Sequence, residues 1–141
     1  MRKSNTTIIA GVGMVAFGKP GASDNYDVMG ESAIREALAD SGLDFTHIKQ
    51  AYAGYVYGDS TCGQKVIYKV GMTGIPVFNV NNNCSTGSSA LFMARQAVES
   101  GLVDCALAVG FEQMQPGALG SVWDDRPSPF DDFDTECSDL F

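Results

Sequence analysis

The stretch 79–101, NVNNNCSTGSSALFMARQAVESG, sets Cys84 between a short apolar run and a run with helical spacing. PVFNV, residues 76–80, is a β-type run. Leu91, Ala94 and Val98 then recur at helical intervals, with Gly101 just beyond as a stop. The cysteine therefore falls at a strand-to-helix junction. Unpaired N–H groups and the positive end of the macrodipole gather at a helix start, which favours a thiolate, the nucleophilic form of the side chain. Ser85, Thr86, Gly87, Ser88 and Ser89 are small enough for a substrate and an opposing backbone to come close. A backbone N–H beside the sulfur suits the oxygen of a tetrahedral acyl intermediate if a second donor faces it, and the sequence identifies no second donor. Local physics accommodates a plainer alternative equally well: a small buried apolar cysteine next to a turn of asparagines.

Working outward, Thr7–Val12 is a β-branched run ending in GVG, expected to be a first strand and tight turn. Asp27–Ser41 places Ile34, Ala37 and Leu38 on one helical face and Glu31, Arg35 and Glu36 toward solvent, with Gly42 as the stop. IKQAYAGYVYG, residues 48–58, has Ile48, Ala51, Tyr52, Ala53 and Val56 in strand-compatible positions. Val66, Ile67 and Val70 line a short helix ended by Gly71, and CALAVGFEQM, residues 105–114, supplies a nearly continuous apolar strand. Alternation of strand and helix predicts an α/β layered domain with a mostly parallel sheet and helices packed on it. No internal repeat interrupts the alternation.

With 45% hydrophobic and 18% charged residues in 141, the chain suits one compact domain, expected over 1–126, followed by an acidic tail over 127–141. The tail, rich in proline and aspartate, lacks an apolar period and is expected to need a partner surface for order. A net charge of −8 without a basic stripe disfavours nucleic-acid binding. The apolar amino-terminal stretch is short and broken by glycines, so neither secretion nor membrane insertion is expected. A cytoplasmic location follows, or a peroxisomal one in a eukaryote. Cys62, Cys84, Cys105 and Cys137 form no CxxC pair and His47 is the single histidine, so no metal site is expected and the thiols should be free. The apolar neighbours of Cys105 suit a core position. Nothing near His47 in DFTHIKQ builds a site around it, and it reads as an ordinary loop histidine.

The stretch around Cys84, preceded by GYVYGDSTCGQ (54–64) and GMTGIPVFN (71–79), resembles the thiolases of the sterol carrier protein X and lipid-transfer type. The resemblance extends from GVGMVAFGKPG to GFEQM. It implies the amino-terminal half of a layered thiolase-like fold, with Cys84 as the catalytic nucleophile that takes the acyl group of a 3-oxoacyl-CoA as a thioester. Its backbone N–H would help to stabilise the oxyanion. Coenzyme A would act as co-substrate, with no tightly bound cofactor, and the products would be a shortened acyl-CoA with acetyl-CoA or propionyl-CoA. The resemblance also places GYVYGDSTCGQ at a dimer interface beside the active site, making Asp59, Cys62 and Gln64 candidate interface or supporting residues; an ordinary polar loop fits them equally. In GFEQM, Glu112 and Met114 are expected only to pack.

Thiolases of this pattern are longer and have two similar halves, with catalytic histidines and a second cysteine in the carboxy-terminal one. No residue here matches those motifs. The isolated chain is therefore expected to be inactive or nearly so, and to self-associate or bind a partner chain through the apolar face it leaves open. Two other readings remain: a noncatalytic assembly subunit, and part of a retro-aldolase acting on steroid side chains. Retention of Cys84 in its motif favours thiolysis over the latter.

Overall fold

The computed structural model of the chain describes residues 6–116 and 123–127. After an extended amino-terminal segment come α1 (Tyr26–Ser41), a 3-10 turn (Phe45–His47), β1 (Gln50–Gly54), α2 (Cys62–Val70), β2 (Val77–Val80), α3 (Thr86–Glu99) and β3 (Ala106–Gly110). The three strands form one parallel sheet in the order β2-β1-β3. The layered α/β architecture expected from the alternation is present.

Strand order decides where the helices lie. The chain leaves β1 for its neighbour on one side through α2, then crosses back over β1 to reach β3 through α3. Two right-handed crossovers in opposite directions put α2 and α3 on opposite faces, and side-chain burial follows suit. Ala51 and Ala53 of β1 with Leu107 and Val109 of β3 pack with Ile34, Val66 and Ile67 on the α1/α2 face. Tyr52, between those alanines, packs with Ala90, Ala94 and Ala97 on the α3 face, joined by Ala106 and Ala108. Both sets follow the two-residue period of a strand covered on each side. Ile34, Val66 and Ile67 are essentially fully buried, each worth about 1.5–3 kcal/mol of transfer free energy.

α1 and α2 approach closely because α1 offers no side chain at Gly30, where a β-carbon would lie 2.6 Å from Val66 Cγ1. Outside this contact the Lys69 ammonium reaches Asp27 Oδ2 at 3.1 Å and Glu31 Oε2 at 3.5 Å. The Lys69 hydrogen bond holds the Asp27 carboxyl below the usual carboxylate range, and the same pairing raises Lys69 above an ordinary lysine. Gly42, at φ 67, ends α1 in the left-handed conformation that glycine adopts without strain.

Two expectations need correction. Thr7–Val12 forms no strand and pairs with none of the sheet's strands. It lies against α1, where the Val12 N–H donates to Asp40 Oδ2 and the Met14 N–H to Glu36 Oε2, both at 2.9 Å. Gly11 and Gly13 permit this, since a β-carbon at either would clash with an α1 carbonyl oxygen, that of Ala37 or of Ala33. A β-branched run dictates extended backbone, whereas a ladder also needs an adjacent edge. On α3 the buried stripe is Thr86, Ala90, Ala94 and Ala97, and Leu91 is 54% exposed. Small side chains let the helix settle close on Ala106 and Ala108, which turns Leu91 outward. Beyond Pro127 the acidic tail lies outside the described residues, as does Cys137.

Candidate active site

β1 and β3 end in register partners, Gly54 and Gly110. The first turn of α3 comes down on these two glycines. A β-carbon at Gly54 would lie 2.8 Å from Thr86 Cγ2, and one at Gly110 would lie 3.7 Å from the α-carbon of Gly87. The chain leaves β1 for β2 on one side and its next strand, β3, joins the sheet on the other side, so the strand order reverses between the carboxyl ends of β1 and β3. In open α/β sheets this is where ligands bind. A recess of about 190 Å³ opens next to it, between the carboxyl ends of β1 and β2, lined by residues that include Tyr55, Val56, Ser60, Asn79 and Asn81.

Between β2 and α3 the chain makes a tight polar turn that carries Cys84. Asn83 takes the left-handed conformation, φ 48, which asparagine tolerates better than most residues. The Asn83 N–H donates to Asn81 Oδ1 at 3.0 Å, and the Asn82 side-chain amide donates to Ser89 Oγ at 2.8 Å. Thr86, 5% exposed, spans the turn from below: its hydroxyl accepts from the Asn82 N–H at 2.8 Å and donates to the Asn83 carbonyl at 2.6 Å. Cys84 is exposed and stands two residues ahead of α3, its thiol 3.8 Å from Asn83 Oδ1. The alternative of a small buried cysteine is therefore overturned. Space beside Gly87 is open, with nothing within 4 Å of where a β-carbon would stand.

The segment 54–64 supports the turn from the side. Gln64 Oε1 accepts from Asn79 Nδ2 at 2.8 Å, and Asn79 Oδ1 accepts from the Gly63 N–H at 3.0 Å. α2 is thus tied to the strand that leads into Cys84. Asp59 is exposed, and its carbonyl rather than its carboxylate is engaged, accepting from the Tyr55 hydroxyl at 2.9 Å. Cys62 is buried at 6% exposure. Its side-chain hydrogen bond, with burial, pushes the Tyr26 hydroxyl up to about 12. Of these three residues, Gln64 braces the β2 side of the site, Cys62 belongs to the core between Tyr26 and Gly58, and Asp59 works through its backbone.

Glu112 does more than pack. Its carboxylate accepts from the Val56 N–H at 2.9 Å and the Tyr57 N–H at 3.1 Å, closing the loop after β1 against the end of β3. The apolar pattern of CALAVGFEQM hides this role, although an acidic residue just past a buried strand is a usable signal, since such a group needs donors. Met114 helps line a cavity of about 410 Å³ between the amino-terminal segment, α1 and the end of β3. Burial raises the Cys105 thiol above its ordinary range, in keeping with a packing role. His47 lies exposed in the 3-10 turn, its Nδ1 3.2 Å from the Asp44 carbonyl oxygen, and no contact ties it to the Cys84 turn.

Comparison with known proteins agrees with this architecture. The family model described as the thiolase amino-terminal domain matches residues 7–121. Sterol carrier protein 2 of Gallus gallus is 54% identical over 125 residues, covering 87% of this chain and 23% of the relative. The benzoylsuccinyl-CoA thiolase subunit BbsB of Thauera aromatica is 37% identical over 114 residues, covering 79% of the chain and 29% of the relative. Among solved structures, 3-oxoacyl-[acyl-carrier-protein] synthase III of Aquifex aeolicus superposes with a TM-score of 0.58 at 22% identity, over 64% of this chain and 30% of that one. The likeness of that synthase is one of fold. The chain spans about a quarter of the length of these curated relatives. A strand-to-helix turn presenting a cysteine at the carboxyl end of a parallel sheet, within a match from residue 7 to residue 121, makes this chain a member of the thiolase family.

Proposed function

We propose that the chain supplies the nucleophilic half of an acyl-CoA thiolase, with Cys84 as the residue that accepts the acyl group. The observation that carries this reading is the exposed thiol two residues ahead of α3, on the turn that leaves the carboxyl end of β2. In the proposed reaction the Cys84 thiolate attacks the C3 carbonyl of a 3-oxoacyl-CoA, forming a carbon–sulfur bond and an oxyanion. Collapse of the oxyanion breaks the C2–C3 bond, and its electron pair leaves on the acetyl-CoA carbon, which takes up a proton. The thiolate of coenzyme A then attacks the Cys84 thioester, releases a shortened acyl-CoA and restores the cysteine. Donors near the sulfur stabilise the oxyanion in both stages, the Cys84 backbone N–H among them by resemblance.

Completion of the site falls to the remaining polypeptide of a full-length thiolase, which by resemblance brings the acid–base groups. Leu91 and Phe92, 54% and 57% exposed on α3, the helix that follows the nucleophile, support a packed partner surface there. That surface suits the second half of the enzyme or another copy in a homo-oligomer. The names of the sterol carrier protein 2 relatives favour lipid or sterol side chains as the acyl part. Thiolysis of a 3-oxoacyl-CoA, followed through loss of substrate, tests the reading on a polypeptide joining this chain to the remainder its relatives possess. Turnover that disappears in Cys84→Ala is expected. Turnover that survives the substitution removes Cys84 from the reaction.

A further inference from the structure

We infer that Thr86 is the positioning residue of the Cys84 turn, acting through its hydroxyl and not through its bulk. Thr86 is one of only two polar or charged residues among the described ones that are buried. Both capacities of the hydroxyl are used on the two residues before the cysteine: it accepts from the Asn82 N–H and donates to the Asn83 carbonyl. The single oxygen thus clamps the backbone on both sides of one peptide unit, in a turn whose next residue is Cys84. Asn83 is held left-handed at that point, a conformation that costs free energy unless its surroundings impose it. The methyl group faces the other way, against Gly54, in a space that exists because Gly54 has no side chain. Thr86 therefore links the end of β1 to the turn. The Ser85 and Thr86 N–H groups also donate to the Asn82 and Asn83 carbonyls, both at 3.0 Å, while the other side-chain staples, Asn81 to Asn83 and Asn82 to Ser89, lie on the exposed side, where water competes with them.

The significance of this positioning rests on the acyl-transfer reading of Cys84, whereas its test does not. Thr86→Val keeps the shape and removes the hydroxyl, and Thr86→Ser keeps the hydroxyl and removes the methyl. The probe is iodoacetamide alkylation of the 141-residue chain at neutral pH, with the rate at Cys84 read from its own peptide by mass spectrometry and protection of buried Cys62 recorded alongside. If the hydroxyl holds the turn, Thr86→Val slows Cys84 alkylation about three-fold because the thiol is no longer held in its exposed position, with Cys62 still protected. Thr86→Ser stays within a factor of about 1.5 of the parent. Equal Cys84 rates in the parent and Thr86→Val overturn the inference, and so does a Thr86→Ser variant slowed as much as Thr86→Val. Should Thr86→Val not fold, Thr86→Ser decides alone: a parent-like rate upholds the hydroxyl, a slowed rate rejects it. Because alkylation uses neither coenzyme A nor the rest of a thiolase, a failed acyl-transfer reading leaves this result standing. A failed Thr86 test, conversely, leaves any Cys84 acyl adduct in place.

Discussion

Cys62 and Cys84 each stand at the head of a helix, and the structure gives them opposite surroundings. Cys62 is the first residue of α2, entered from Thr61 in the left-handed conformation, and its sulfur turns inward toward Tyr26 and Gly58. Cys84 precedes α3 by two residues on a turn of three asparagines that leaves its thiol exposed. Proximity to a helix N-terminus is common to both. Accessibility divides them, and it is set by the loop before the helix. Reactive chemistry needs both conditions, since a thiolate sealed in apolar surroundings is disfavoured and unreachable.

The sharpest way to break this contrast is differential labelling. In the native chain iodoacetamide should modify Cys84 at least about 100-fold faster than Cys62, whose reaction waits on local opening, and denaturant should abolish the difference. Comparable native rates would show that the two helix heads are not distinct environments. A second effect falls on the Cys84 side alone. Gly54→Ala drives a β-carbon to 2.8 Å from Thr86 Cγ2 and 3.0 Å from its carbonyl oxygen, so either strand or helix must shift. A loss of about 1–3 kcal/mol in denaturant unfolding is expected, with altered Cys84 labelling and unchanged protection of Cys62. An unchanged denaturation midpoint would contradict the close approach of α3.

The smallest effect belongs to the Cys62 side. Asp27 anchors α1 to Lys65 and Lys69 of α2, and its carboxyl sits below the ordinary range. A depressed carboxylate pKa contributes stability above the unfolded value, near 3.9, and that contribution fades as pH falls through the lower folded value. Asp27→Asn should therefore lower the urea midpoint slightly at pH 7, by less than Gly54→Ala does. The difference between variant and parent should shrink below about pH 4. A gap that widens with acidification would mean the pairing has the opposite sign.

Much of this was legible in the sequence because local rules and tertiary packing agree. The Ile34 face with its Gly42 stop, the buried run around Ala51 to Ala53, and the helix after Cys84 all follow patterns that burial then reinforced. Placement of Cys84 between β2 and α3 was readable for the same reason. Where pattern and partner separate, the reading failed. Thr7–Val12 has strand-like residues, yet the amides of Val12 and of Met14 just beyond it find the carboxylates of α1 instead of a neighbouring strand. Leu91 fits the helical period but loses the interface to alanines, because close approach of α3 to the sheet favours small side chains over large ones. The partners of Glu112 and Thr86 were not legible, since they are backbone groups whose placement depends on the folded geometry, although Glu112 just past a buried strand signalled a need for donors.

The central claim, that Cys84 accepts the acyl group, is tested most directly by intact mass and peptide mapping after incubation with a 3-oxoacyl-CoA. The samples are the chain joined to the remainder of its relatives' length, its Cys84→Ala counterpart, and the 141-residue chain alone. An acyl adduct on the Cys84 peptide of the joined protein, absent from Cys84→Ala and weak or absent in the short chain, is the result predicted. An adduct on any other cysteine, or one that persists in Cys84→Ala, would contradict the account.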